Sequence, residues 1–277
     1  MNKQMVLKKF PIIKRIRSAQ IKSLFYFKMY LDQNQYSQEI AKDTFQYQMP
    51  VFQDKMINTE TGFPMEYQYN KVFNLKLAGD KINHLLIKPN ETFSFYMAIK
   101  GAEKKQKYKE GLTLIDGKME FVSGGGLCQL SNLLFQVFLN SPLTIIERHT
   151  HRIKDFPDPI PDSLKGVDAT IAEGLLDLKV RNDTDNTFQI VIKFDEENLY
   201  CNLCTKEKVF ISYHIQNRNL KYIRHLNKTY EIVDVYRQEM KDSKMIKEEK
   251  LYTNKTQIGY QLPSNIEILE SEDEDNE

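Results

Sequence analysis

The stretch Ser-Gly-Gly-Gly-Leu-Cys-Gln-Leu-Ser-Asn-Leu-Leu-Phe-Gln-Val-Phe, residues 123–138, constrains this chain more than any other segment. Three successive glycines strip one turn of backbone of its Cβ atoms. Leu130, Leu133, Leu134, Val137 and Phe138 then recur at helical spacing, so a helix begins near Leu127 and turns that stripe toward a core. Cys128 lies off the stripe, in the first turn, with Ser131 and Asn132 one turn later on its side. The first N–H groups of a helix lack internal partners, and the macrodipole places about half a positive charge there. A thiolate at that end is stabilised, so its pKa falls below the free value of about 8.5. The same N–H groups can receive an oxyanion if the sulfur attacks a carbonyl. The expectation is that Gly124, Gly125 and Gly126 keep space clear for an acyl substrate. The competing reading is a buried structural cysteine after a flexible turn. A phosphate-cradling loop is disfavoured, because the Lys-Ser/Thr pair of a P-loop is missing.

A nucleophilic cysteine needs a base, usually a histidine remote in sequence. In Thr-Ile-Ile-Glu-Arg-His-Thr-His-Arg, residues 144–152, strand periodicity puts Glu147, His149 and His151 on one face and Arg148, Thr150 and Arg152 on the other. Such a strand could carry an imidazole to the helix start. The same histidines, with Glu147, Cys128 or Asp155, also make a zinc-ligand set, which leaves a zinc-dependent hydrolase open as a further reading. His84, His214 and His225 sit among ordinary polar neighbours. Cys201 and Cys204 form a CxxC, but on a strand Cys201 points to the core and Cys204 away, unlike a redox or zinc pair. Three cysteines cannot all pair, so no disulfide framework is expected.

The surrounding pattern reads as α+β: the cysteine-bearing helix packed on an antiparallel sheet, with an N-terminal helical segment. Residues 1–50 open with a basic helix. Phe10, Ile13, Ile16, Ile21, Leu24 and Phe25 approximate its packed face, and an anionic membrane surface is the alternative partner. Asn70 reads as the N-cap of a helix running to Leu85 and Leu86, ended by Pro89-Asn90, after which residues 91–96 look like a strand. Asp116-Gly117 between alternating apolar runs signals a hairpin that leads into the glycines. Residues 155–163 form a proline-rich loop. Residues 175–180, 187–194 and 199–204 read as a meander with one buried and one wet face. The domain division is 1–50, a core domain over 51–205, a β-rich extension over 206–269 with Tyr230–Arg237 as its best strand, and a disordered acidic tail over 270–277.

Bulk composition closes off other classes. A net charge of +1 over 277 residues gives no field for nucleic acid. No apolar run is long enough to span a membrane, and no export signal is visible, so the chain is expected in the cytoplasm or peripheral to the inner membrane surface. Neither a cofactor nor a resident metal is expected from the preferred reading.

Several segments together resemble the VanW family: "KPNETFSF", "YKEGLTLIDGKMEFVSGGGLCQLSNLLF", "SPLTIIERHTHR", "FPD", "GVDAT" and "LDLKVRNDT". The likeness is strong over about residues 50–200. "TETGF" before it and "KLYTNKTQIGYQLPSNIEILE" after it also fit. A Gly-Gly-Gly-x-Cys-Gln stretch followed by Glu-Arg-x-x-His is a specific combination. The resemblance implies a role in vancomycin B-type glycopeptide resistance and L,D-transpeptidase-like chemistry on peptidoglycan stem peptides or their precursors. It makes Cys128 the nucleophile, His151 the favoured base with His149 as second histidine, and Asp168 the orienting carboxylate. Arg148 would hold a stem-peptide carboxylate, with Gly124, Gly125, Gly126, Gln129 and Ser131 on the substrate and oxyanion side. A non-catalytic protein that binds wall precursors or resistance enzymes is the alternative.

Overall fold

A computed structural model describes residues 11–59, 61–115, 118–154 and 164–270. Phe10, the Asp116-Gly117 turn, the proline-rich loop with Asp155, and the acidic tail after Glu270 lie outside the described residues. The fold is mixed α+β.

At its centre is the helix from the glycine turn. It belongs to a series in chain order: α1 (Pro11–Leu31), α2 (Met65–Ile82), the one-turn α3 (Phe95–Ala98) and α4 (Leu127–Leu139). In α4, Leu130, Leu134, Phe135 and Phe138 are fully buried and Leu133 and Leu139 nearly so. A helix apolar around most of its circumference belongs inside a protein. It packs against α2 and against strands β3 (Phe52–Lys55) and β12 (Asn198–Thr205). Phe138 meets Phe93 at a ring separation of 5.1 Å.

Two sheets enclose this core. One has the order β1 (Gln35–Tyr36), β5 (Glu91–Ser94), β10 (Lys179–Arg181), β8 (Thr144–Glu147), antiparallel except for the β1–β5 pair. The other runs β2 (Tyr47–Gln48), β12, β11 (Phe188–Phe194), β4 (Leu86–Ile87), with β3 also paired to β12. The expected three-strand meander is therefore divided: β11 and β12 pair in register, whereas β10 joins the other sheet. Nor is one face of β11 wet. Ile190 and Ile192 face the main core, and Gln189 on the opposite side is fully buried, donating to the Asp43 carbonyl and accepting from the Phe45 N–H. That loop covers the second face, so Cys204 is as buried as Cys201.

Helix α2 is capped at Pro64, six residues earlier than Asn70, and stops at Ile82. Asn70 is spent on a tertiary bond, its amide donating to the Glu110 carbonyl at 2.9 Å. Beyond Ile82 the backbone reverses through His84 at φ +65°, which frees Leu86 and Ile87 to pair as a strand. Strand β6 (Glu110–Ile115) and strand β7 (Lys118–Ser123) form the hairpin entering the glycine turn. Residues 91–94 are extended as expected, but Ser94 then caps α3 by accepting from the Met97 N–H.

The C-terminal region is more regular than its sequence suggests. Strands β13 (Ile211–His225), β14 (Lys228–Lys241) and β15 (Lys244–Ile258) form a long antiparallel sheet, flanked by β9 (Ile153–Lys154) on β15 and β16 (Ile268–Glu270) on β13. Both hairpin turns place two consecutive non-glycine residues at positive φ, Leu226-Asn227 and Asp242-Ser243. This is the handedness that fits strand twist.

Candidate active site

Strand β8 ends at Glu147, and the chain then leaves the sheet. The alternation expected for residues 147–152 is consequently lost. His149 turns back onto Glu147, with Nε2 2.9 Å from Oε1, while Arg148, Thr150 and His151 all reach one carboxylate, Asp168.

Asp168 arrives on a segment latched from two sides. From α4, the Ser131 hydroxyl lies 2.6 Å from the Ala169 carbonyl, and Asn132 Oδ1 accepts from the Ala169 N–H at 2.7 Å. From the other side, the Thr170 N–H donates to the His149 carbonyl at 2.8 Å. This brings Cys128, His151 and Asp168 into one cluster. Asp168 Oδ2 accepts from the His151 backbone N–H at 2.9 Å and sits 2.8 Å from Nδ1. With Nδ1 engaged, Nε2 is the ring nitrogen left for the sulfur. Cys128 Sγ lies 3.7 Å from Thr170 Oγ1 and 3.8 Å from the Ile171 carbonyl.

The titration behaviour follows from these contacts. Burial opposes ionisation of Cys128, but hydrogen bonding and charge from His151, aided by Thr170, bring the thiol below its ordinary value. Burial also opposes charge on His151, yet Asp168 and the Cys128 sulfur outweigh it and raise the imidazole to about 10. Asp168 is likewise opposed by burial, but the His151 bonds and the Arg148 charge lower it to about 2. The three groups favour one another's charged forms: the imidazolium stabilises the thiolate on one side and the carboxylate on the other.

Several expected substrate groups have internal work instead. Arg148 is nearly enclosed. Its Nε donates to the Asp168 carbonyl at 2.7 Å and Nη1 to Asn254 Oδ1 at 2.9 Å, while Nη2 reaches Gly166 O and Asp168 Oδ1. The guanidinium also stacks over Tyr252, 4.6 Å from the ring centre. With four of its N–H donors spent inside the protein, Arg148 orients Asp168, although it also borders the cleft. Ser131 is fully buried on backbone carbonyls. The Gln129 amide donates to Asp54 Oδ2 and the Lys55 carbonyl, although its buried Oε1 has no partner among the described residues.

The glycines have a local cause. Gly126 caps α4 at φ +93°, and a Cβ on Gly125 would stand 2.2 Å from the Gly111 carbonyl oxygen. Close hairpin packing, rather than space for a substrate, excludes side chains at Gly125.

Cys128 opens onto a broad cleft that also includes Gly124, Gly126, Gln129, His151 and Thr170. Tyr96 and Lys71 line it too and escaped the sequence reading. Burial, and then the nearby Cys128 charge, raise the Tyr96 phenol, while burial lowers Lys71 despite Asp54. Thr170, two residues past Asp168 in "GVDAT", was the findable omission. Among the described residues no group of three His, Cys, Asp or Glu side chains converges to hold a metal. His149 and His151 are each turned to a different carboxylate.

The family model described as VanW like protein matches residues 70–204. The Vancomycin B-type resistance protein VanW of Enterococcus faecalis is 45% identical over 273 residues, covering 98% of this chain and 99% of that protein. An uncharacterized protein of Bacillus subtilis, YoaR, is 29% identical over 120 residues, 43% of this chain and 38% of its own length. No solved structure matches the chain.

Proposed function

The chain belongs to the VanW family, and from that premise we propose that it serves vancomycin B-type glycopeptide resistance as a cysteine-dependent acyl-transferase acting on peptidoglycan stem peptides or their precursors. The observation that carries this reading is the single cluster of Cys128, His151 and Asp168 at a helix start on a cleft.

The Cys128 thiolate attacks a peptide carbonyl carbon, and the new oxyanion lies by the Cys128 N–H, since the N–H groups of Leu127 and Gln129 on either side donate to the Gly124 and Gly126 carbonyls. As the C–N bond breaks, His151 gives its proton to the leaving amine and a thioester remains. An acceptor amine or water then adds to the thioester carbon, passes a proton to His151, and the sulfur leaves as thiolate. Asp168 holds the imidazole with Nε2 toward sulfur throughout.

Intact-protein mass spectrometry after incubation with a stem tetrapeptide or pentapeptide tests this reading. An acyl adduct localised to Cys128 is expected. No adduct, together with iodoacetamide labelling no faster than a free thiol, would sink it. A non-catalytic binding role is the second reading, favoured by the internal engagement of Arg148 and Ser131. It expects Cys128→Ser to retain resistance in cells, whereas the enzymatic reading expects resistance to be lost from a folded variant.

A further inference from the structure

Helix α1 presents two faces of different chemistry. One packs on the protein: Met29 is buried, Phe25 meets Tyr96 edge-on at 6.0 Å, and Tyr26 donates to Glu173 Oε1 at 2.9 Å. Lys22 pairs with the same glutamate. On the other side, Ile13, Ile16, Leu24, Phe27 and Leu31 are 47%, 55%, 53%, 56% and 64% exposed. At about 100° per residue, these five fall in a stripe about 80° wide. Of the face expected to pack, Ile21 and Phe25 do so, joined by Tyr26 and Met29, whereas Ile13, Ile16 and Leu24 lie on the other side. The helix is thus apolar on two sides, and among the described residues only one of them meets the rest of the protein.

Charge identifies what fits the second side. Residues 11–31 contain Lys14, Arg15, Arg17, Lys22 and Lys28 and no acidic residue, Lys3, Lys8 and Lys9 precede them, and Asp32 is the first acid of the chain. The whole protein is close to neutral at +1, so the concentration of cations here is local. Two copies packed stripe to stripe would set these cations against each other with no acid to pair. An anionic lipid surface satisfies both features at once, taking the aliphatic stripe at the acyl boundary and the cations at the phosphates. Among the described residues no helix is long and apolar enough to cross a membrane, which fits a helix lying in the surface plane.

We propose that α1 is an interfacial helix that holds this protein on an anionic phospholipid surface, with Ile13, Ile16, Leu24, Phe27 and Leu31 inserted and Arg17 and Lys28, which adjoin that stripe, against the headgroups. Ser18, Lys22 and Tyr26 of the same helix border the cleft that contains Cys128. Docking therefore holds one wall of that cleft within about one helix diameter, ~10 Å, of the lipid. The proposal stands apart from the reading of the cysteine chemistry, because it needs only α1.

Vesicle co-sedimentation of the full chain tests it, comparing phosphatidylglycerol/phosphatidylcholine vesicles with phosphatidylcholine alone. At least about tenfold tighter binding to the anionic vesicles is expected, falling steeply as salt rises. The exposed-stripe variant Leu24→Glu/Phe27→Glu should lose binding by tenfold or more while its circular dichroism and thermal midpoint stay unchanged. Arg17→Gln/Lys28→Gln should abolish the preference for anionic lipid. Three results would each overturn the proposal: no binding to either vesicle, equal binding by wild type and the stripe variant, or a dimer in analytical ultracentrifugation that the stripe variant dissolves without any lipid binding.

Discussion

Asp168→Asn probes the arrangement at its most connected atom pair. The carboxylate receives two donors from His151 on Oδ2, and Arg148 Nη2 at 2.8 Å and Thr150 Oγ1 at 2.9 Å on Oδ1. Its pKa of about 2 against an ordinary 3.8 corresponds to about 2 kcal/mol of folding free energy. Because the folded value is depressed, that stability is present above about pH 4 and is lost as pH falls toward 2. An amide keeps one acceptor oxygen and presents one NH2, so either His151 or the Arg148–Thr150 pair meets a donor. Each orphaned donor costs about 1–3 kcal/mol, and an arginine left without its counter-charge raises the total to about 3–5 kcal/mol.

The functional consequence is separable from that loss. Without the carboxylate, His151 no longer stays protonated to high pH, and burial then dominates at Cys128 and pushes the thiol up. A fully formed ion pair reacts up to about thirtyfold faster at pH 7 than a thiol titrating near 8.5. The assay is iodoacetamide alkylation of Cys128 from pH 5 to 10, on protein shown to be folded by circular dichroism. The wild type should hold its rate below pH 8, whereas Asp168→Asn should show a single rise near or above an ordinary thiol. Thr150→Val removes one bond to Asp168 without touching the His151 contact, and should leave the profile where it was. Folded Asp168→Asn protein with a profile overlaying the wild type would refute the claim that Asp168 sets the charge of His151.

Gly125→Ala should lower stability by about 1–3 kcal/mol in urea titration, because its Cβ would press on the Gly111 carbonyl in a backbone-to-backbone contact that no rotamer relieves. Arg148→Lys keeps the charge but cannot reproduce the fork onto Asp168, Asn254 and Gly166, and a loss of about 3 kcal/mol is expected. An unchanged urea midpoint would contradict its role as a clamp. Asp177 behaves oppositely to Asp168: burial raises it to about 6, although Ser94 and the Tyr96 N–H favour its charged form. A raised carboxyl costs stability as pH climbs from about 4 through 6, so Asp177→Asn should flatten the unfolding free energy from urea titration over that window by about 2–3 kcal/mol relative to wild type.

What the sequence reveals and conceals here has physical reasons. The helix after the glycines is legible because its apolar period is uninterrupted from Leu127 to Leu139. The hairpin before it is legible because alternating runs flank a turn pair. The end of β8 is not, because Glu-Arg-His-Thr-His still alternates in polarity, and only the three-dimensional position of Asp168 draws Arg148, Thr150 and His151 to one side. The long β13–β15 sheet is concealed for another reason. Its outer strands β13 and β15 are largely exposed, so they carry charged residues on both faces, and its two tight turns use Leu-Asn and Asp-Ser where glycine would have marked them.

That inconspicuous sheet completes the candidate site. Asn254 and Tyr252, both on β15, hold the guanidinium of Arg148, and Thr256 Oγ1 lies 3.1 Å from Thr150 Oγ1. Strand β9, just after His151, pairs with the end of β15 through Gln257 and Ile258. The orientation of the imidazole thus passes from Asp168 to Arg148 and then to residues about a hundred positions downstream. Such a chain of contacts separates the atoms that would react from those that aim them. Asn254→Ala removes no group near the sulfur, yet it leaves an arginine N–H in a nearly closed site without its acceptor. Its effect should therefore appear first in the pH profile of Cys128 alkylation, shifted in the direction of Asp168→Asn. If Asn254→Ala shifts only stability and leaves that profile fixed, the sheet supports the fold alone, and Asp168 holds His151 without help from Arg148.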